Sequence, residues 1–151
     1  MAVGVAEKER DHMPYCQLHY HLIWSTHRRD PTLVGEMANL VERSIRASCL
    51  ELETVLHALS VMPDHVHVAL SIPPKHSVSS VVKRLKGSSS HLVNHAGPRR
   101  DEERFSWQSE YGALTFGRKV LKDVVAYIVD QPARHADLRL WAGMERTGDP
   151  P

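Results

Sequence analysis

Across residues 15–132 the hydrophobic and polar positions change period in a regular order, and each change predicts an element. Leu18, Tyr20, Leu22 and Trp24 alternate with Gln17, His19, His21 and Ser25, the period of two expected of a half-buried strand. Over 33–52 the period lengthens, and Met37, Leu40, Val41, Ser44, Ile45, Ser48 and Leu52 recur at helical spacing. Residues 54–62 are strand-like, and Pro63-Asp64 supplies a tight turn: proline presets φ at the first central turn position and aspartate tolerates the second. Residues 65–72 form the returning arm of that hairpin. Ser77 caps a helix with the apolar stripe Val78, Val81, Val82 and Leu85. Gly87 inside it costs about 1 kcal/mol relative to alanine, which predicts a bend or an end nearby. A charged loop over 97–104 leads to a strand or irregular hairpin over 105–116. Leu121, Val124, Val125 and Ile128 then mark a last helix that reaches Pro132.

Strand, helix, strand, strand, helix, strand, helix is an order that an α+β fold satisfies, with an antiparallel sheet and helices packed on one face. Residues 1–14 and 143–151 lack periodicity and read as tails around one domain at 15–142. The 151 residues are 42% hydrophobic and 25% charged, ordinary for a soluble globular domain. No apolar run approaches the roughly 18 residues of a membrane span, and the first residues do not resemble a secretion signal. A cytoplasmic protein without membrane contact is expected. Cys16 and Cys49 are too few for a disulfide framework and lack zinc spacing. Both read as small hydrophobes in a reducing compartment.

A net charge of +1 gives no argument for nucleic acid. The basic residues do cluster, at Arg28-Arg29, Lys83-Arg84-Lys86, Arg99-Arg100 and Arg118-Lys119, but such clusters often only solvate a face. Histidine is the unusual residue, with eleven present. In the segment Met62-Pro63-Asp64-His65-Val66-His67-Val68, strand alternation sends Val66, Val68, Leu70 and Ile72 to the core and His65 and His67 to the other face. Two imidazoles side by side can chelate one divalent ion. Two solvated or hydrogen-bonded histidines on an open sheet face would give the same spacing. On the last helix, Tyr127 and Gln131 lie four residues apart on one face. A tyrosine that merely packs its ring is the commoner case.

Taken in order, these segments resemble the HUH single-tyrosine transposases, the small enzymes of insertion sequences and REP-associated elements. The resemblance runs from His21-Leu22-Ile23-Trp24-Ser25-Thr26 with Arg28-Arg29, through Met62-Pro63-Asp64-His65-Val66-His67, to Ser77-Val78 and Lys83-Arg84-Leu85-Lys86-Gly87. It continues through Phe105-Ser106-Trp107-Gln108 and Tyr111-Gly112-Ala113 to Tyr127-Ile128 with Gln131, and so covers roughly residues 15–140. It implies a ferredoxin-like or RRM-like sheet, with His65, His67 and Gln131 as ligands of Mg²⁺ or Mn²⁺ and Tyr127 as nucleophile. The implied activity is cleavage and rejoining of single-stranded DNA through a 5′-phosphotyrosine. Hairpin-forming element ends are the implied substrate and a homodimer the implied assembly. Arg28, Arg29, Lys83, Arg84 and Lys86 are candidate backbone contacts. Pro132 biases Gln131 away from helical geometry and sets it at a helix end. Two rivals stay open on residues alone: a non-catalytic or domesticated relative that binds single-stranded nucleic acid, and a metal hydrolase of small molecules.

Overall fold

The computed structural model describes residues 16–98 and 104–131; both tails and the Arg99-Arg100 pair fall outside the described residues. Strand β1 (His19–Ser25), helix α1 (Glu36–Glu51), strands β2 (Val55–Val61) and β3 (His65–Ser71), helix α2 (Val78–Ala96), strand β4 (Gly112–Phe116) and helix α3 (Leu121–Val129) follow in the expected order. The strands lie side by side as β2-β3-β1-β4, every neighbour antiparallel. This is the ferredoxin-like arrangement, with α3 appended.

Alternation builds the main core. Leu22 and Trp24 of β1 and Val66, Val68 and Leu70 of β3 reach one face and meet Leu40, Val41 and Ile45 of α1 and Val81, Val82 and Leu85 of α2. The register sets Trp24 opposite Val66 and Leu22 opposite Val68. A slip of one residue would drive the histidines into this apolar layer, so burial fixes the pairing. Ser77 caps α2 as its position predicts, accepting from the Ser80 amide at 3.1 Å. Gly87 neither bends nor ends that helix, which continues to Ala96. Each large side chain that α2 buries is worth about 1.5–3 kcal/mol, and together they outweigh the single glycine penalty.

Of the strand or irregular hairpin expected over 105–116, the strand is β4, and residues 105–111 close the core instead. Trp107 pairs with Thr26, sets its ring edge-on to Trp24 at 6.0 Å between centroids, and donates Nε1–H to Ser89 Oγ at 2.9 Å. Asn94 clamps Phe105 from both sides, its amide donating to the Phe105 carbonyl at 2.9 Å and accepting from the Phe105 amide at 2.8 Å.

Packing of helices on one face holds for α1 and α2 and is corrected for α3. Val124, Tyr127 and Ile128 of α3 bury against Ala58 of β2 and Ala69 of β3, on the opposite face of the sheet. The two alanines explain how a helix only nine residues long docks there: with no bulk between them, its stripe lies directly on the strands. Ala69→Leu is therefore expected to overpack this contact at a cost of about 1–3 kcal/mol. Thermal unfolding should show the loss, and an unchanged melting temperature would contradict this packing. Among the described residues no helix is long and apolar enough to cross a membrane.

Candidate active site

The face that α3 covers is the polar face of the two central strands. His65, His67, Ala69 and Ser71 of β3 share it with His19, His21, Ile23 and Ser25 of β1, because each set occupies alternate positions and β1 pairs with β3 in register. Alternation placed His65 and His67 on the face away from the main core, where an open sheet would have left them solvated. They are instead buried, 2% and 0% exposed. A side chain on the back of a sheet stays wet only when nothing docks there, and α3 does.

The two imidazoles converge. His65 Nε2 lies 3.1 Å from His67 Nε2, and both rings are held from behind. Asp64 Oδ1 sits 2.6 Å from His65 Nδ1, while His21 Nε2 sits 3.0 Å from His67 Nδ1. Asp64 also takes Arg29, whose Nε donates to Oδ2 at 3.0 Å. Burial alone would raise the Asp64 carboxyl, but the hydrogen bonds and charges of His65 and Arg29 outweigh it and hold it below the ordinary carboxylate range. The loop that presents Arg29 is tied to the hairpin turn: the Thr26 amide donates to the Asp64 carbonyl at 2.8 Å, and the Leu33 amide to the Pro63 carbonyl at 2.9 Å. Arg28 and Arg29 both adopt φ of 54°, the left-handed region that residues bearing side chains seldom occupy.

From above, α3 lowers Tyr127 onto this group. The ring is 1% exposed and lies edge-on to His67, with 6.0 Å between centroids, and edge-on to His21 at 6.2 Å. Helix α3 ends at Val129, Asp130 makes a turn, and Gln131 is itself helical, against the bias away from helical geometry that Pro132 predicted. The Gln131 side chain turns back, Nε2 donating to the Tyr127 carbonyl at 3.1 Å. Its Oε1 is buried and has no hydrogen-bond partner among the described residues.

These donors fit a divalent cation. Two ligand atoms at right angles on an ion with bonds of about 2.1 Å stand about 3.0 Å apart, close to the separation of the two Nε2 atoms. An orphaned buried amide oxygen costs about 1–3 kcal/mol unless something satisfies it, and an oxygen is what a hard cation accepts. Among the described residues no group of three or more His, Cys, Asp and Glu side chains is arranged for a metal ion.

The basic candidates divide between two places. Arg29 reaches the Asp64–His65 end of the histidine pair, and Arg28 precedes it in the same short turn. Lys83, Arg84 and Lys86 stand on α2, on the far side of the sheet. Arg84 pairs with Glu51. The Lys86 ammonium donates to the carbonyls of Gln108 at 2.5 Å and of Ser109 and Glu110 at 3.3 Å. Burial pushes Lys86 below its usual range, opposed by Glu110, so this lysine is committed to holding the 108–110 loop. Likewise Phe105, Trp107 and Tyr111 pack against the main core. Sequence reasoning did not single out His21 or Asp64 as partners of the pair. His21 was marked by its parity in β1 and by its place in the resembling first-strand stretch, neither of which gave it a role, and the strand order that brings β1 beside β3 was needed to place it.

Comparison with known proteins identifies relatives of the chain. The chain is 34% identical over 118 residues to the ISDra2 transposase TnpA of Deinococcus radiodurans, a match covering 76% of this chain and 84% of that protein. It is 35% identical over 74 residues to the transposase for insertion sequence element IS200 of Salmonella typhimurium, covering 49% of each. The fold superposes on the crystal structure of a Deinococcus radiodurans protein assigned as a transposase, with a TM-score of 0.62, 33% identity and coverage of 78% and 93%. It also superposes on a REP-associated tyrosine transposase bound to a REP hairpin, with a TM-score of 0.62, 17% identity and coverage of 81% and 73%, a likeness of fold alone. The sequence profile described as Transposase IS200 like matches residues 14–131, and with that match the chain belongs to this transposase family.

Proposed function

We propose that this transposase cuts and rejoins single-stranded DNA, with Tyr127 as the nucleophile and His65, His67 and Gln131 as the ligands of Mg²⁺ or Mn²⁺. The observation that carries the reading is the packing of Tyr127 on the histidine pair, 6.0 Å from the His67 ring. Nothing in the local sequence of either element requires the other. A tyrosine that served only the core would be equally well placed among α1 and α2.

A phenol with a pKa of about 10 is a weak nucleophile near neutrality, and a phosphodiester is an anionic, reluctant electrophile. When bound, the cation supplies polarisation of the non-bridging phosphate oxygens. Tyr127 supplies the attacking oxygen: its O–P bond forms, the P–O3′ bond breaks, the phenol proton is lost and the leaving 3′-oxygen gains one. One phosphate ester replaces another, so a second 3′-hydroxyl can attack the phosphotyrosine, release Tyr127 and rejoin DNA without ATP. Because Tyr127 is 1% exposed, turnover requires an opening motion that uncovers its ring.

Arg28 and Arg29, in the short turn that reaches the histidine pair through Arg29, and Lys83 and Arg84, on α2, are the proposed contacts to the DNA backbone; Lys86 joins them only by giving up its carbonyls. Hairpin-forming ends are the proposed substrate, supported by the hairpin bound to the REP-associated structural relative. A homodimer is the proposed assembly, which sedimentation tests. Binding should favour single strands or hairpins over plain duplex and weaken as salt rises, because backbone contacts release counterions. Tighter binding to a blunt duplex than to any hairpin would sink the substrate assignment.

The test of the function is incubation with labelled single-stranded oligonucleotides, with and without divalent cation, followed by denaturing electrophoresis. Cation-dependent cleavage with label retained on protein is expected. Binding without cleavage would identify a non-catalytic relative, and failure to bind or cut would exclude DNA as substrate.

A further inference from the structure

We infer that His21 is a positioning residue for His67, and that its Nε2 is the acceptor that keeps the His67 ring in the one tautomer able to bind a cation. The inference rests on the reading of His65 and His67 as ligands.

A neutral imidazole has one N–H and one lone pair, so a ring that binds a cation through one nitrogen must carry its proton on the other. His67 turns Nε2 toward His65, which makes Nε2 the cation side and leaves Nδ1 to hold the proton. The group that meets Nδ1 is His21 Nε2 at 3.0 Å, and both side chains are buried, 1% and 0% exposed. His21 can accept there only while its own proton sits on Nδ1. Loading the site therefore selects one tautomer of His67 and, through it, one tautomer of His21.

The fold provides the room for this contact. In the β1–β3 register His21 faces Ala69 and Ile23 faces His67. The small Ala69 lets the His21 ring lean along the strand until it lies 5.2 Å from His67 between centroids, inclined by 29°. His65 has the equivalent support in Asp64 Oδ1. The two supports differ in kind: a carboxylate oxygen accepts however its ring partner is turned, whereas an imidazole nitrogen accepts in only one of its two neutral forms. His67 is thus the ligand whose readiness depends on a neighbour's proton. Orienting partners of metal-bound histidines commonly set affinity by about 10- to 100-fold.

Two variants and one spectrum on the full chain decide the matter. His21→Phe keeps the ring volume and removes the acceptor; His21→Gln returns an acceptor oxygen. Titration with Mn²⁺, followed by electron paramagnetic resonance of the free ion, should show affinity about 10- to 100-fold weaker for His21→Phe and largely recovered for His21→Gln. In the Mg²⁺-loaded wild type, two-bond ¹H–¹⁵N correlation should place the proton on Nδ1 in both His67 and His21. The wild-type spectrum decides the question should His21→Phe fail to fold. Folded His21→Phe that binds Mn²⁺ as the wild type does, or a loaded wild type with the proton on His21 Nε2, overturns the role of His21 alone. A wild type that binds no Mn²⁺ overturns the ligand reading and this inference together.

Discussion

Tyr127→Phe is expected to fold and to bind single-stranded DNA as the wild type does, while cleavage falls by a factor on the order of 10⁴ or more. The substitution removes one oxygen and retains the ring that Ala58, Ala69, Val124 and Ile128 surround, so the change in stability should stay near 1 kcal/mol. No other described tyrosine can take its place. Tyr20 and Tyr111 pack against the core formed with α1 and α2, on the opposite side of the sheet from His65 and His67; Tyr15 lies outside the described residues. Cleavage and thermal unfolding measured on the same preparation separate chemistry from folding, and a Phe variant that cuts at the wild-type rate would remove Tyr127 from the mechanism.

His65→Ala and His67→Ala carry the second large effect. Each removes a proposed donor outright, so Mn²⁺ affinity and cation-dependent cleavage should fall beyond the 10- to 100-fold, approximately, that loss of an orienting neighbour costs. Because the rings are buried and contact Asp64, His21 and each other, these variants are also expected to lose about 1–3 kcal/mol of stability as polar neighbours forfeit a partner. Calorimetric titration with Mn²⁺ on variants shown to be folded is the check. Wild-type affinity in either one would rule out the histidine pair as the cation site.

Much of the architecture was legible because it follows from period. The alternation at 18–24 and 65–72, the helical recurrence over 33–52 and the Ser77 cap are local signals, and the tertiary structure agrees with each. The place of α3 was not legible. Its stripe of Val124, Tyr127 and Ile128 says that one side is buried but not against which face, and Ala58 and Ala69 look unremarkable until two strands set them together. The burial of His65 and His67 went unread for the same reason. Within the candidate site, His65, His67 and Tyr127 could be named from their residue types and spacing, and resemblance supplied the roles. His21 and Asp64 could not be selected, since their significance is in the register of β1 on β3 and in ring directions. A histidine count did not help: His19 and His57 share the Ser71 hydroxyl, at 2.7 and 2.6 Å, and His91 and His95 stack on α2. Of the strand or irregular hairpin expected over 105–116, only 112–116 is a regular strand, because the aromatics of 105–108 suit the lid of a core as well as they suit a sheet.

The central claim is that Tyr127 carries the DNA during strand transfer, and mapping the adduct tests it most directly. The wild type would be incubated with Mn²⁺ and a single-stranded oligonucleotide that it cleaves, the covalent complex isolated under denaturing conditions, digested with protease and nuclease, and sequenced by tandem mass spectrometry. A nucleotide mass on Tyr127, absent when the cation is withheld, is the predicted result; a nucleotide on Tyr111 or on any other residue, or cleavage with no adduct at all, would contradict it.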